Sequence, residues 1–216
     1  MTMSLFPDPR HAPHDIVAIG DDLRPETLIE AYRAGIFPWP AEDIPLPWFS
    51  PKRRAILRFD AIHVSRSLAR ERRRTPLRFT IDADFRGVIA GCASTPRPGQ
   101  EGTWIFPRIV DAYVTLHELG HAHSAEAWEG DELVGGIYGV DMGGAFGGES
   151  MFHRRPNASK LALLHLADHL ASRGLDWMDI QIMTPHMKAL GAREIGRGKF
   201  LDLLHATQAR GLDLFS

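Results

Sequence analysis

The 216-residue chain contains a single cysteine, Cys92. No disulfide can form within it, so nothing points to an oxidising compartment. No apolar run approaches the roughly 20 residues that a membrane helix requires. The stretch from Met1 to His14 lacks a basic start followed by an apolar run, so no signal peptide is expected. An excess of one charge is also missing: 25 Lys and Arg stand against 27 Asp and Glu, a formal net charge of -2. That balance excludes a globally basic nucleic-acid binder, so any such contact must come from a local patch. No glycine-rich loop ends in Gly-Lys-Ser/Thr, and ATP is not indicated. Ser150 lacks the Gly-x-Ser-x-Gly elbow, which argues against a serine nucleophile. There is no internal repeat and no low-complexity tract. A soluble cytoplasmic protein is expected.

Hydrophobic residues make up 44% of the chain, enough for a packed core. Pro25 to Ala34 reads as a helix, with Pro early and Gly35 just past its end. The prolines of Ile36 to Pro40 and Pro45 to Pro51 predict rigid loops bearing Trp39 and Trp48. Strands are expected over 55–59, 77–82 and 175–181. Helices are expected over 85–92, 107–119, 185–190 and 198–209, and a basic one from a Ser65 cap to about Arg74. Ser124 to Trp128, Leu133 to Val140 and Ala145 to Phe152 predict an antiparallel sheet. Asn157 or Ser159 is expected to cap a long helix closed by Gly174, with Leu163, Leu166, Ala167 and Leu170 as its apolar stripe. Helices and strands mix without strict alternation, which favours α+β. A boundary is expected between 59 and 64.

Several groups of residues bear on chemistry. His117-Glu118-Leu119-Gly120-His121 matches the short zinc-protease pattern, but that chemistry needs both His on one helix face. Gly120 is expected to end the helix first, leaving two His at a helix C-terminus. Arg66, Arg70, Arg73 and Arg74 share one helix face. They are either a solvated surface or a phosphate grip. Trp39, Trp48 and Trp104 lie in loops, where they either stack on a base or plug a seam. Paired glycines between Gly135 and Gly148 allow close backbone approach or tight turns. Glu149 follows them among Phe146 and Phe152. Asp179 and Gln181, two apart in an apolar strand, are expected on one face, as a structural hydrogen bond or a catalytic pair.

Together these residues resemble the leucyl/phenylalanyl-tRNA–protein transferases. The likeness runs in order through Gly35-Ile36-Phe37-Pro38-Trp39, Trp48-Phe49-Ser50-Pro51, His63 to Ser67, Glu101-Gly102-Thr103-Trp104-Ile105 and Leu116 to Ser124. It continues through Leu133 to Gly136, Tyr138-Gly139-Val140, Gly148-Glu149-Ser150-Met151-Phe152, Ala158-Ser159-Lys160, Asp179 with Gln181, Thr184 with His186, and Leu190-Gly191-Ala192. It departs at Pro40 to Ile44 and Ser94 to Gln100, and at pocket positions Ile137, Leu166, Leu170 and Met178.

The resemblance implies a small N-terminal domain, residues 1–62, packed on a GNAT-like catalytic domain, residues 63–216, with a central, largely antiparallel sheet. It implies transfer of Leu or Phe, with Met as a further candidate, from aminoacyl-tRNA to proteins beginning with Arg or Lys. That reaction marks them for degradation under the N-end rule. The ester is already activated, so no cofactor and no metal are expected. In that reading Asp179, with Gln181, activates the amine and Glu149 orients it. Trp39 and Trp104 sandwich the terminal adenine. Ile137, Phe146, Leu163, Leu166, Leu170 and Met178 form the amino-acid pocket, and Arg66, Arg70, Arg73 and Arg74 hold tRNA phosphates. A monomer is expected. A zinc protease through His117, Glu118 and His121, or a non-catalytic tRNA-binding module, stands as the alternative.

Overall fold

The computed structural model describes residues 4–39, 45–95 and 105–216. Strands β1 (Ile16–Ile19), β2 (Phe37–Pro38) and β3 (Pro47–Phe49) form a small sheet in the order β1-β3-β2. Helix α1 (Pro25–Arg33) lies between β1 and β2 in sequence. It begins on Pro25, whose missing N–H has no helical acceptor to lose. It ends at Gly35, whose φ of +75° an L-residue rarely adopts.

A seven-stranded sheet dominates the rest, in the order β10-β4-β9-β8-β7-β6-β5. Its strands are β4 (Arg53–Arg58), β5 (Arg78–Ile81), β6 (Ala122–Glu129), β7 (Glu132–Asp141), β8 (Phe146–His153), β9 (Trp177–Asp179) and β10 (Arg193–Gly196). All neighbours run antiparallel except β8 and β9, which meet in parallel at Gly147 and Asp179. The expected antiparallel trio is β6, β7 and β8. Helices α2 (Arg66–Arg74), α3 (Phe85–Ser94), α4 (Pro107–Glu118), α5 (Ala158–Ser172), α6 (Pro185–Ala189) and α7 (Arg197–Gln208) complete the fold. It is a mixed α and β architecture around a large, mostly antiparallel sheet. No helix among the described residues is long and apolar enough to cross a membrane.

The glycines of β7 set how closely helices approach the sheet. A Cβ on Gly135 would lie 2.6 Å from Ala158 Cβ at the start of α5, and one on Gly136 would lie 2.8 Å from Val88 Cγ2 of α3. Successive residues of a strand face opposite sides, so the pair admits one helix on each face. Helix α5 is buried well beyond its expected stripe: Leu161, Ala162 and Leu164 are also in the core. A helix apolar around most of its circumference must be packed around most of it.

The structure differs from the sequence reading in four places. The proline-rich stretches do pair, as β2 and β3, because the strands are two and three residues long. Their prolines need no ladder N–H there: Trp39 N–H donates to Pro47 O at 3.0 Å. Strand β9 stops at Asp179 instead of running to Gln181. Gln181 has φ +53°, a left-handed conformation that ends an extended run. Asn157 sits at the N-cap of α5 without a side-chain cap bond: its Oδ1 accepts from Lys160 Nζ at 3.3 Å and its Nδ2 donates to Glu71 Oε2 at 2.7 Å. Finally, residues 53–58, before the boundary expected near 62, lie inside the large sheet as β4.

Candidate active site

The site gathers where β8 and β9 part. Asp179 ends β9, fully buried. Its carboxylate accepts from Arg54 of β4 through Nε to Oδ1 at 2.8 Å and Nη2 to Oδ2 at 2.6 Å. Oδ1 also accepts the Gln181 backbone N–H at 3.0 Å. That last bond folds the chain back two residues after the strand. Asp179 and Gln181 therefore meet through a turn and not by sharing a strand face, and the Gln181 side chain points elsewhere. Its Nε2 donates to Glu149 Oε1 at 2.7 Å.

Glu149 stands in β8, half-buried. Besides Gln181 it bonds to the hydroxyl of Tyr32 from α1, which is itself hydrogen-bonded to the hydroxyl of Tyr113 from α4. Both tyrosines are buried. Burial pushes the Glu149 carboxyl up to about 8; the Tyr32 hydrogen bond opposes the rise, Asp179 adds to it and Arg54 opposes it. Burial, with the Glu149 charge next in weight, holds both tyrosines well above their ordinary range. A polar chain thus runs from Arg54 through Asp179, Gln181 and Glu149 to Tyr32 and Tyr113. Sequence reasoning missed Arg54, Tyr32 and Tyr113. The one available signal was an arginine inside the apolar Arg54-Ala55-Ile56-Leu57 run, since a buried charge needs a partner.

The remaining residues are placed as follows. Ile137, Phe146, Leu163, Leu166, Leu170 and Met178 all belong to the buried core. Two of them flank the site directly: a Cβ on Gly148 would lie 3.8 Å from Ile137 Cδ1 and 3.9 Å from Met178 Sδ. Trp39 is half-buried, in ring contact with Phe37 and Phe49 at 6.2 Å each. Trp48 is buried, its Nε1 donating to Gly20 O at 3.1 Å, so it plugs a seam. Trp104 lies outside the described residues. Arg66, Arg70, Arg73 and Arg74 are exposed on α2, whose Ser65 cap accepts from Leu68 N–H at 3.2 Å.

The zinc-protease pattern does not assemble as that chemistry needs. Helix α4 ends at Glu118, and Gly120 at φ +77° turns His121 away from the helix face that carries His117. A different trio, Asp82, His117 and His123, brings ligand-type atoms within 4.8 Å of one another. Within the trio, His123 Nδ1 is 2.6 Å from Asp82 Oδ2, His123 Nε2 is 3.2 Å from Gly120 O, and His117 Nδ1 is 2.8 Å from Ala122 O. The rings are also stacked, His117 on Phe85 and His123 on Phe215.

Comparison with known proteins is consistent along the chain. Residues 21–52 match the leucyl/phenylalanyl-tRNA protein transferase N-terminal domain, and residues 56–205 match the leucyl/phenylalanyl-tRNA protein transferase family. A leucyl/phenylalanyl-tRNA–protein transferase of Anaeromyxobacter sp. (strain Fw109-5) is 52% identical over 96% of this chain and 87% of its own length. That of Shewanella sp. (strain W3-18-1) is 50% identical over 92% and 85%, and that of Nitratidesulfovibrio vulgaris (strain DP4) 50% identical over 93% and 86%. Among solved structures, a conserved protein of unknown function from Staphylococcus epidermidis overlaps at TM-score 0.43 and 10% identity, covering 67% of this chain and 57% of its own.

Proposed function

The chain belongs to the leucyl/phenylalanyl-tRNA–protein transferase family, and from that premise we propose how its residues carry the transfer. The protein is an aminoacyltransferase: it moves leucine or phenylalanine from tRNA onto a protein N-terminus. We infer that acceptors begin with Arg or Lys, that the product is a degradation tag, and that the enzyme works as a cytoplasmic monomer. Methionine is a third candidate for transfer. We also propose the two-part organisation read from the sequence, a small N-terminal domain of residues 1–62 on a GNAT-like domain of residues 63–216, with β4 of the first part joining the sheet of the second.

In the reaction, the lone pair of the acceptor α-amine attacks the ester carbonyl carbon. A C–N bond forms, the bond to the ribose oxygen breaks, and a proton passes from the amine toward that oxygen. An α-amine titrates at about 7.7–8.0, so a group of similar affinity suffices to take the proton. The pairing of Glu149 with Gln181 carries the assignment. Glu149 is the half-buried member of an otherwise buried chain, and burial pushes its carboxyl up to about 8. The acceptor amine meets Glu149, which takes its proton, while the Gln181 amide orients the reacting groups. The sequence reading gave proton acceptance to Asp179. With its oxygens committed to Arg54 and Gln181, Asp179 is assigned the holding of Gln181. The aminoacyl side chain enters beside Gly148, with Ile137 and Met178 at the mouth and Phe146, Leu163, Leu166 and Leu170 behind. Trp39, with Trp104, stacks on the terminal adenine, and the four arginines of α2 grip phosphates.

The test is an assay with labelled Leu-tRNA and a peptide beginning with Arg, with and without chelator. The wild-type chain forms product in both conditions. E149Q lowers turnover by about 100-fold or more while aminoacyl-tRNA binding persists. Near-normal turnover of E149Q would remove Glu149 from the role, and chelator-sensitive cleavage of the peptide would revive the protease reading.

A further inference from the structure

We propose that Arg54 is a positioning residue for the transfer reaction: it holds the Asp179–Gln181 turn that aims the Gln181 amide at Glu149, and ties that turn to the strand leading into Trp39. The proposal rests on the reading of Glu149 and Gln181 as the pair that meets the amine.

Arg54 has no exposed surface. A guanidinium in such a place must be fully paired. Nε and Nη2 hold Asp179 as a fork, and Nη1 donates to Gly35 O at 3.0 Å. The plane of the group is covered as well: its carbon lies 4.6 Å from the Phe37 ring and 4.3 Å from the Phe200 ring. Every direction in which Arg54 could reach a substrate is taken by protein. Its influence therefore passes through the groups it touches.

Two of those groups lead to the site. Asp179 Oδ1, held by Nε, also receives the Gln181 N–H. Gln181 is at φ +53°, where a side chain is unfavourable unless the surroundings hold it. Oδ1 supplies one hold, and Ala55 N–H donating to Gln181 O at 3.0 Å supplies another from the residue after Arg54. On the other side, Gly35 and Phe37 precede Trp39, whose ring touches Phe37. One planar group thus fixes the distance between the turn carrying Gln181 and the strand that leads into the proposed adenine platform. Lysine keeps the charge but cannot make the fork and the third bond together.

Kinetics of the full chain with Leu-tRNA and an Arg-starting peptide test the proposal, using R54K, Q181A and the double variant. R54K is expected to lower kcat by about 10- to 100-fold, the scale of a misplaced reacting group, with KM for Leu-tRNA little changed. In the Q181A background the same change is expected to cost less than about twofold, because the residue through which it acts is gone. Wild-type kcat in R54K, or an equal loss in both backgrounds, overturns the proposal and leaves the Glu149–Gln181 reading standing. Wild-type kcat in Q181A instead overturns that reading. Should R54K fail to fold, F200L removes one ring from the guanidinium without altering a charge. It is expected to lower kcat in the wild-type background and not in Q181A, and equal kcat values for F200L and wild type count against the proposal.

Discussion

At the scale of single residues, the site turns on where hydrogen bonds go. Asp179 and Gln181 were identifiable as polar interruptions of an apolar run, but alternation placed them on one face. The structure joins them through the backbone of Gln181 and sends its side chain to Glu149. Strand periodicity cannot anticipate this, because one left-handed residue cancels it. The network also predicts a pH effect with a definite sign. Burial raises the Glu149 carboxyl to about 8, and the Tyr32 hydrogen bond works against that rise. Removing the hydroxyl in Y32F therefore lets Glu149 hold its proton to higher pH. The base form is needed for reaction, so the rising limb of kcat against pH moves toward alkaline values. Turnover of Y32F at pH 7 is expected to fall about 3- to 10-fold, the gap closing as pH rises well past 8. A pH–rate profile of both proteins decides the point, and superimposable limbs would remove Tyr32 from the tuning of Glu149.

At the scale of elements, the glycine pairs of β7 were open to two readings, ligand approach or tight packing. Gly135 and Gly136 answer to packing, since their missing side chains make room for α5 and α3. G135V forces α5 off the sheet and should cost about 1–3 kcal/mol, read as a lower denaturant midpoint. An unchanged midpoint would show that α5 has slack. Helix α2 carries the opposite kind of surface. Arg66, Arg70, Arg73 and Arg74 are exposed, and Arg72, exposed too, is ion-paired to Asp168. Replacing the four exposed arginines by alanine is expected to flatten the log–log salt dependence of tRNA binding by up to about 3 units. An unaltered slope would return them to plain surface.

At the scale of the whole molecule, arginines of the large sheet and its helices stitch the N-terminal segment in place. Buried Arg197, at the start of α7, donates through Nη1 to His14 O at 2.9 Å and Ser50 O at 2.7 Å, and through Nη2 to Ala12 O. Arg54 makes the matching tie to Gly35. R197A leaves several carbonyls without donors and should destabilise the chain by about 2–4 kcal/mol. The N-terminal segment around Ala12 and His14 is then expected to become the first site of proteolysis, and a cleavage pattern identical to wild type would contradict the stitching role. Sequence alone determined the family and the type and order of the long helices and of the β6, β7 and β8 hairpins. Those features are written in local periodicity, caps and ordered motifs, which need no knowledge of distant partners. Tertiary structure decided the rest: that β4 joins the large sheet, that Arg54 meets Asp179 125 positions away, and that Tyr32 and Tyr113, 81 positions apart, meet beside Glu149. A buried polar residue announces that it needs a partner, but its pattern does not say which one, because the low-dielectric interior sets the need and only the packed fold supplies the neighbour.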